Sequence, residues 1–165
     1  MNNKDLINTI ILGIGNKNRS DDGIGSKIIS KMKILLHPKS IIFEDLSIRI
    51  FDIDYYLKLY PNLDYLIIID AIIDNKIKIG TIITLELDNP VLKGISFATS
   101  THNINIIDYL LMYKSVNAQI FPKKVIIIGV VVENTQLGEV ISKEVELSID
   151  KIINYIEYMI TNKTL

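Results

Sequence analysis

The chain has 165 residues, 48% of them hydrophobic and 22% charged, which is enough apolar material for one domain with a sizeable core. Its 18 basic and 19 acidic side chains give a formal net charge of −1, so electrostatic capture of nucleic acid or of anionic lipid is not expected as its main activity. There is no cysteine, which excludes disulfides, thiolate nucleophiles and cysteine-based metal sites. Any nucleophile or metal ligand of the protein is therefore an oxygen or an imidazole nitrogen.

The hydropathy pattern predicts a cytoplasmic protein that does not associate with membranes. Residues 1–5 are polar and no small-residue cleavage site follows them, which is unlike a secretory signal. The longest apolar stretch, residues 125–132, is far shorter than the roughly 20 residues that span a bilayer. No linker, repeat or low-complexity tail is visible, so residues 1–165 are expected to form a single domain.

In the first half of the chain, short apolar runs alternate with segments of helical periodicity. Residues 8–14 are typical of a strand that is buried on both faces and stops at a glycine-rich turn. The pattern then predicts a helix from Gly23 to about His37, a strand over 41–43, a helix over 50–60 that Pro61 closes, and a strand over 65–69 that ends at Asp70.

The second half continues the alternation. Residues 81–87 predict a strand beside the 65–69 strand, as its antiparallel neighbour, because only about ten residues separate them. A helix from about Asn103, a fully apolar strand over 125–132 and a helix over 142–160 follow. The order βαβαββαβα predicts a three-layer α/β fold: a mainly parallel, twisted sheet of about five strands with one antiparallel strand, helices on both faces, and functional groups at the carboxyl ends of strands.

Two adjacent carboxylates lie between the first strand and the first helix, where phosphate-binding loops also occur. The glycines of residues 13–25 do not have the G-x-G-x-x-G spacing, and Asp21 and Asp22 would repel a pyrophosphate. Carboxylates at this position favour cation binding or proton transfer instead. The alternative is that Asp21 caps the helix and Asp22 only stabilises the helix dipole.

A third carboxylate closes the apolar run before it. Asp70 follows residues 66–69, where a charge is costly unless the end of the sheet opens into a cleft. Functional groups converge at the carboxyl ends of parallel strands, which favours a site role for Asp70. The alternative is an aspartate that only starts a turn.

Of the two histidines, His102 is the better ligand candidate. His37 precedes a proline at a predicted helix end, where an exposed imidazole at the C-terminus is ordinary. His102 lies directly before a predicted helix, and with Asp22 and Asp70 it would form an oxygen, oxygen and nitrogen set that suits a divalent ion such as nickel or zinc. A serine-hydrolase interpretation of Ser100 beside it lacks any G-x-S-x-G motif.

Four short motifs are spaced along the chain: Gly13-Ile14-Gly15-Asn16, Asp21-Asp22-Gly23-Ile24-Gly25, Asp70-Ala71 and Thr101-His102-Asn103. Together they resemble the hydrogenase maturation endopeptidases, which process the large subunit of nickel-iron hydrogenases. The resemblance spans nearly the whole chain. One departure is the sequence from Gly129 to Glu133, which stands where the family usually has a Gly-Ile-Gln-Pro type of sequence.

The resemblance implies a monomeric α/β protease that removes a short C-terminal extension from the large-subunit precursor after nickel insertion. Asp22, Asp70 and His102 match the positions thought to bind the precursor's nickel. The metal would come with the substrate, and no tightly bound cofactor is expected at rest. Asp22 and Asp70 are also the candidate catalytic residues: either carboxylate could activate water, or the nickel could act as a Lewis acid.

Two other classes of function remain open at this point. The same three residues could form a metal-transfer site in a non-catalytic nickel-binding maturation factor. A nucleotide-binding module of Rossmann type is the third possibility, against which the acidic first loop argues.

Overall fold

Residues 7–98 and 105–162 are described by the computed structural model, and they form a six-stranded sheet with helices on both faces. The strands are β1 (Thr9–Ile14), β2 (Ile41–Ser47), β3 (Tyr65–Ile73), β4 (Ile82–Glu86), β5 (Ser96–Phe97) and β6 (Lys124–Val132). The helices are α1 (Ile24–Leu35), α2 (Ile53–Leu59), α3 (Ile106–Val116) and α4 (Lys143–Thr161).

The strand order confirms the predicted fold class. It is β2-β1-β3-β6-β4, with the short β5 paired to the end of β3. The pairs β1–β2, β1–β3 and β3–β6 are parallel, whereas β4 is antiparallel to β6 and β5 is antiparallel to β3. The sheet is therefore mainly parallel, with β4 as its antiparallel edge strand.

The predicted neighbour of β4 was wrong. β4 pairs with β6 and not with β3, although β3 precedes it in the chain. β6 occupies that edge of β3 along the whole strand, from Tyr65 opposite Lys124 to Ile73 opposite Val132. Because β6 is almost entirely buried and apolar, it belongs in the middle of the sheet, and the half-exposed β4 is left at the edge.

Isoleucine-rich strands supply the core on both faces of the sheet. Alternate side chains of β1 and β3, among them Ile11 and Ile67, pack against α1 and α4. The intervening ones, such as Ile10 and Ile68, pack against α2 and α3. The helices differ little from the predicted ones: residues 50–52 form a 3-10 turn ahead of α2, and α3 starts after Asn105. Within residues 7–98 and 105–162 no helix combines the length and the hydropathy needed to cross a membrane.

The start of α1 packs directly on the sheet, backbone against backbone. A Cβ atom at Gly25 would lie 2.5 Å from the carbonyl oxygen of Ile69 and closer still to that of Ile14. Gly13 on β1 faces Gly25 from the other side of the same contact. The two glycines therefore bring the loop between β1 and α1 down onto the ends of β1 and β3.

Gly25→Ala should lower the free energy of unfolding by at least about 2 kcal/mol, because the added methyl group meets backbone atoms that cannot rotate away. Urea titration measures the change. Gly94→Ala is the matched control, since nothing lies within 4 Å of its Cβ position, and it should change stability by less than about 0.5 kcal/mol. Equal effects of the two substitutions would contradict the packing argument.

Candidate active site

Asp22 lies in a buried turn above the end of β1. It belongs to the 3-10 turn Ser20–Gly23, is 3% exposed, and accepts a hydrogen bond from the backbone N–H of Asn16 at 2.9 Å. Gly15, with φ +126°, lets the loop close: a Cβ there would collide with the carbonyl oxygen of Asp22. The loop between β1 and α1 thus folds back on itself and holds Asp22 inside the protein.

Asp21 has a different partner from its neighbour. Its carboxylate accepts the backbone N–H of Ser142 at 2.6 Å and the Ser142 hydroxyl at 3.0 Å, at the start of α4. The cap of α1 is Gly23, without a side-chain hydrogen bond, so the interpretation of Asp21 as the cap of that helix was wrong. The two adjacent carboxylates have separate structural roles.

The sequence pattern predicts that β3 ends at Asp70, but the structure places Asp70 inside this strand. The strand continues to Ile73 because Ile72 and Ile73 pair with β5 on one side and with β6 on the other. Asp70 is fully buried, and its Oδ1 accepts the N–H of Ala71 at 2.7 Å. Since Ile69 is opposite Gly13, Asp70 lies level with the last residue of β1.

These placements bring Asp22 and Asp70 to one end of one pair of strands. The chain leaves β1 towards β2 on one side, and β3 lies on the other, so the sheet has a topological switch point between β1 and β3. The 3-10 turn Ser20–Gly23 contacts β3 there. Ligands of open α/β sheets bind in the crevice at such a point, beyond the carboxyl ends of the strands.

His102, the third predicted ligand, lies outside the described residues. The last described residue before it, Ala98, lies close to Asp70, because Ala98 donates its N–H to the carbonyl oxygen of Ala71 at 3.0 Å. The first described residue after it is Asn105, whose side chain accepts the N–H of Ile107 and caps α3. Over residues 7–98 and 105–162, a range without His102, no group of three acidic or histidine side chains is placed to hold a metal ion.

A further carboxylate, which sequence reasoning missed, supports the loop. Asp45 on β2 accepts hydrogen bonds from the Ser26 hydroxyl at 2.6 Å and the Ser47 N–H at 2.9 Å, and it forms an ion pair with Lys17 at 2.5 Å. Burial raises the pKa of Asp45, but the hydrogen bonds from Lys17 and Ser26 outweigh burial and hold this pKa below its ordinary value. The signal that could have revealed Asp45 is its place at the carboxyl end of β2, by the rule that identified Asp70.

The fold and the two buried aspartates thus define an α/β protein with an acidic site at the switch point of its sheet. Over residues 51–159, well over half of the chain, the sequence matches the family model HycI, hydrogenase maturation protease. The chain therefore belongs to the hydrogenase maturation protease family. The matched range includes Asp70 and His102, whereas Asp22 precedes it.

Solved structures of hydrogenase maturation proteases have a similar fold. The [NiFe] hydrogenase maturation protease HybD from Thermococcus kodakarensis superposes with a TM-score of 0.75 at 23% identity, over 93% of this chain and 99% of that one. The hydrogenase maturating endopeptidase HybD from E. coli gives 0.74 at 23% identity, over 95% and 94%. HycI from Thermococcus kodakarensis KOD1 gives 0.73 at 20% identity, over 96% and 97%. A sequence comparison with curated proteins gives no match.

Asp45→Asn should lower the free energy of unfolding by about 1–3 kcal/mol at pH 7, because it weakens charge-assisted hydrogen bonds to Lys17 and Ser26. Since the pKa of Asp45 is lowered in the folded protein, its contribution is fully present above the ordinary aspartate pKa. It is lost as the pH falls through the folded pKa, so the two proteins should converge at low pH. Urea titrations from pH 7 to pH 3 measure this.

Asp150→Asn provides the control, because it removes the exposed ion pair with Lys31 and should cost less than about 1 kcal/mol at pH 7. A constant stability difference between wild type and Asp45→Asn across the whole pH range would contradict the assigned role of the Asp45 carboxylate.

Proposed function

We propose that this protein is an endopeptidase that removes the C-terminal extension of a nickel-iron hydrogenase large-subunit precursor after nickel insertion, and that it recognises the bound nickel. The observation that carries the proposal is the position of Asp22 and Asp70 at the switch point between β1 and β3, in a chain of this protease family. The protein would act in the cytoplasm as a monomer, and its partner would be the precursor.

In this proposal the metal belongs to the substrate. Asp22, Asp70 and His102 supply two carboxylates and one imidazole, which are donors that nickel accepts but which leave its coordination shell incomplete. This chain has no cysteine, so thiolate ligands come from the precursor. Contact with the metal would place the scissile peptide bond beside the two aspartates only after the nickel has been inserted.

Peptide hydrolysis needs a base near the scissile carbonyl. Asp22 or Asp70 would take a proton from water, the hydroxide would add to the carbonyl carbon, and the leaving amine would carry the proton away as the C–N bond breaks. The precursor's nickel could also polarise the carbonyl as a Lewis acid. Both routes need the two carboxylates in the same crevice, which is what their positions on the β1–α1 loop and on β3 support.

The test compares two forms of the same precursor. Purified protein is incubated with nickel-loaded and with nickel-free large-subunit precursor, and the mass of the precursor is followed. We expect loss of the C-terminal extension only from the loaded form. Equal trimming of both forms would refute nickel recognition, and nickel binding without any loss of mass would favour a non-catalytic maturation factor.

Asp22→Asn and Asp70→Asn should each lower kcat/KM for the loaded precursor by at least about 100-fold, because the amide can neither act as a general base nor bind a cation as well as the carboxylate does. The free energy of unfolding, measured in parallel, separates this loss from a loss of folded protein. Asp88→Asn, on the surface and paired with Lys114, is the control and should keep full activity.

If Asp22→Asn kept its activity and lost only about 1 kcal/mol of stability, Asp22 would have a purely structural role. The catalytic assignment would then rest on Asp70 alone.

A further inference from the structure

The segment that joins β6 to α4, residues 133–142, runs along the loop that carries Asp22. Ser20 donates its N–H to the carbonyl oxygen of Gly138 at 2.6 Å, and Gly138 donates its own N–H to that of Asn18 at 2.9 Å. The Arg19 side chain adds a hydrogen bond from Nε to the carbonyl oxygen of Thr135 at 2.9 Å. The segment starts at the carboxyl end of β6, so it lies at the same edge of the sheet as the candidate site.

Asp21 is the centre of this attachment. Its side chain is fully buried, and besides Ser142 it accepts the N–H of Asn134 at 3.4 Å, so one carboxylate contacts both ends of the segment. The backbone N–H of Asp21 also donates to the carbonyl oxygen of Asn134 at 3.0 Å. Ser142 is the N-cap residue of α4, but its hydroxyl donates to Asp21 and makes no cap hydrogen bond. Burying a carboxylate in this way is costly unless it is well bonded, which makes the attachment specific.

The attached segment presents apolar side chains to solvent. Leu137 is 87% exposed and Val140 is 79% exposed, the highest values among the large hydrophobic side chains of the described residues. Gly138 between them has both its N–H and its carbonyl group bonded to the β1–α1 loop. The backbone is therefore held in place while two large apolar groups point outward, an arrangement that is favourable when a partner covers them.

Two cavities adjoin this segment. One, of about 420 Å³, is lined by Glu133 and Val132, by Ile73 at the end of β3 and by the chain that follows, including Ile77. The other, of about 400 Å³, is lined by Glu139 and Ile141 together with parts of the β1–α1 loop and of α1. Stable complexes between proteins bury about 800 Å² on each partner, so recognition of a folded precursor needs more surface than the buried Asp22 and Asp70 offer.

We infer that residues 133–142 form a docking loop for the folded body of the precursor, that Leu137 and Val140 are its apolar contacts, and that Asp21 is the positioning residue that holds the loop. The inference rests on the proposed function and adds the surface that recognises the substrate. The partner is an apolar patch on the precursor beside the scissile segment, because the docking loop is bonded to the same loop that holds Asp22 next to β3.

Exchanging both apolar contacts tests the docking surface. The double variant Leu137→Ser and Val140→Ser should raise KM for nickel-loaded precursor about tenfold or more with kcat within about twofold of wild type, since the change removes binding that is the same in ground state and transition state. The matched control is Ile34→Ser with Leu35→Ser, which are 73% and 55% exposed at the far end of α1. An unchanged KM in the docking-loop variant, or an equal rise in the control, would overturn the inference.

Failure of the inference can be told apart from failure of the proposed function. If wild-type protein does not trim loaded precursor, the proposed function is wrong; if it does and the double variant behaves like wild type, only the docking loop is wrong. Sedimentation of the wild-type protein and of the double variant tests whether a second copy of this chain, and not the precursor, covers the docking loop. A wild-type dimer that the two substitutions dissociate would make this surface a contact between copies of the chain and would overturn the inference.

The positioning role of Asp21 has its own test. In Asp21→Asn one oxygen becomes an NH₂ group that cannot accept from Ser142 or Asn134, so KM should rise at least fivefold, in the same direction as in the double variant. Ser142→Ala removes only the hydroxyl contact and should raise KM less. Combining Asp21→Asn with the double variant should raise KM little further, whereas full additivity would show that Asp21 does not act through the loop.

Discussion

The close approach of the β1–α1 loop to the sheet is the constraint on which the site depends. Gly13 and Gly25 let α1 touch the carbonyl groups at the ends of β1 and β3, and Gly15 lets the loop fold back over Asp22. A side chain at any of these points would push the loop away from the strand that carries Asp70. The motif is therefore rich in glycine because the backbone must come close, and the acidic site is a consequence of that packing.

Within this framework neighbouring carboxylates do different things. Asp22 lies over the switch point of the sheet, Asp21 holds the segment before α4, and Asp45 holds Lys17 and Ser26 from the side of β2. Each of these buried or half-buried groups accepts hydrogen bonds, which offsets the cost of removing its charge from water. Asp21 thus attaches the loop to the start of α4, and Asp45 attaches it to β2.

The sequence predicted the four helices and the five longer strands, because isoleucine-rich strands and periodic helices carry strong local signals. It predicted the neighbour of β4 wrongly, since pairing depends on competition between strands that are distant in the chain, and β6 competes better for β3. It placed Asp70 at a strand end, because nothing local shows that β5 returns to extend β3. Asp45 was missed for a similar reason: its partners come from the β1–α1 loop and from α1.

The amino-acid sequence by itself determined the fold class, the absence of cysteine chemistry and the family resemblance carried by the motifs around Asp22, Asp70 and His102. These properties depend on composition, periodicity and short spacings, which are local. Only the tertiary structure decided that Asp21 contacts the start of α4 while Asp22 lies beside β3, because adjacent residues of a 3-10 turn point in different directions. The partner of Asp21 lies over a hundred positions away along the chain, and β3 lies about fifty positions away from Asp22.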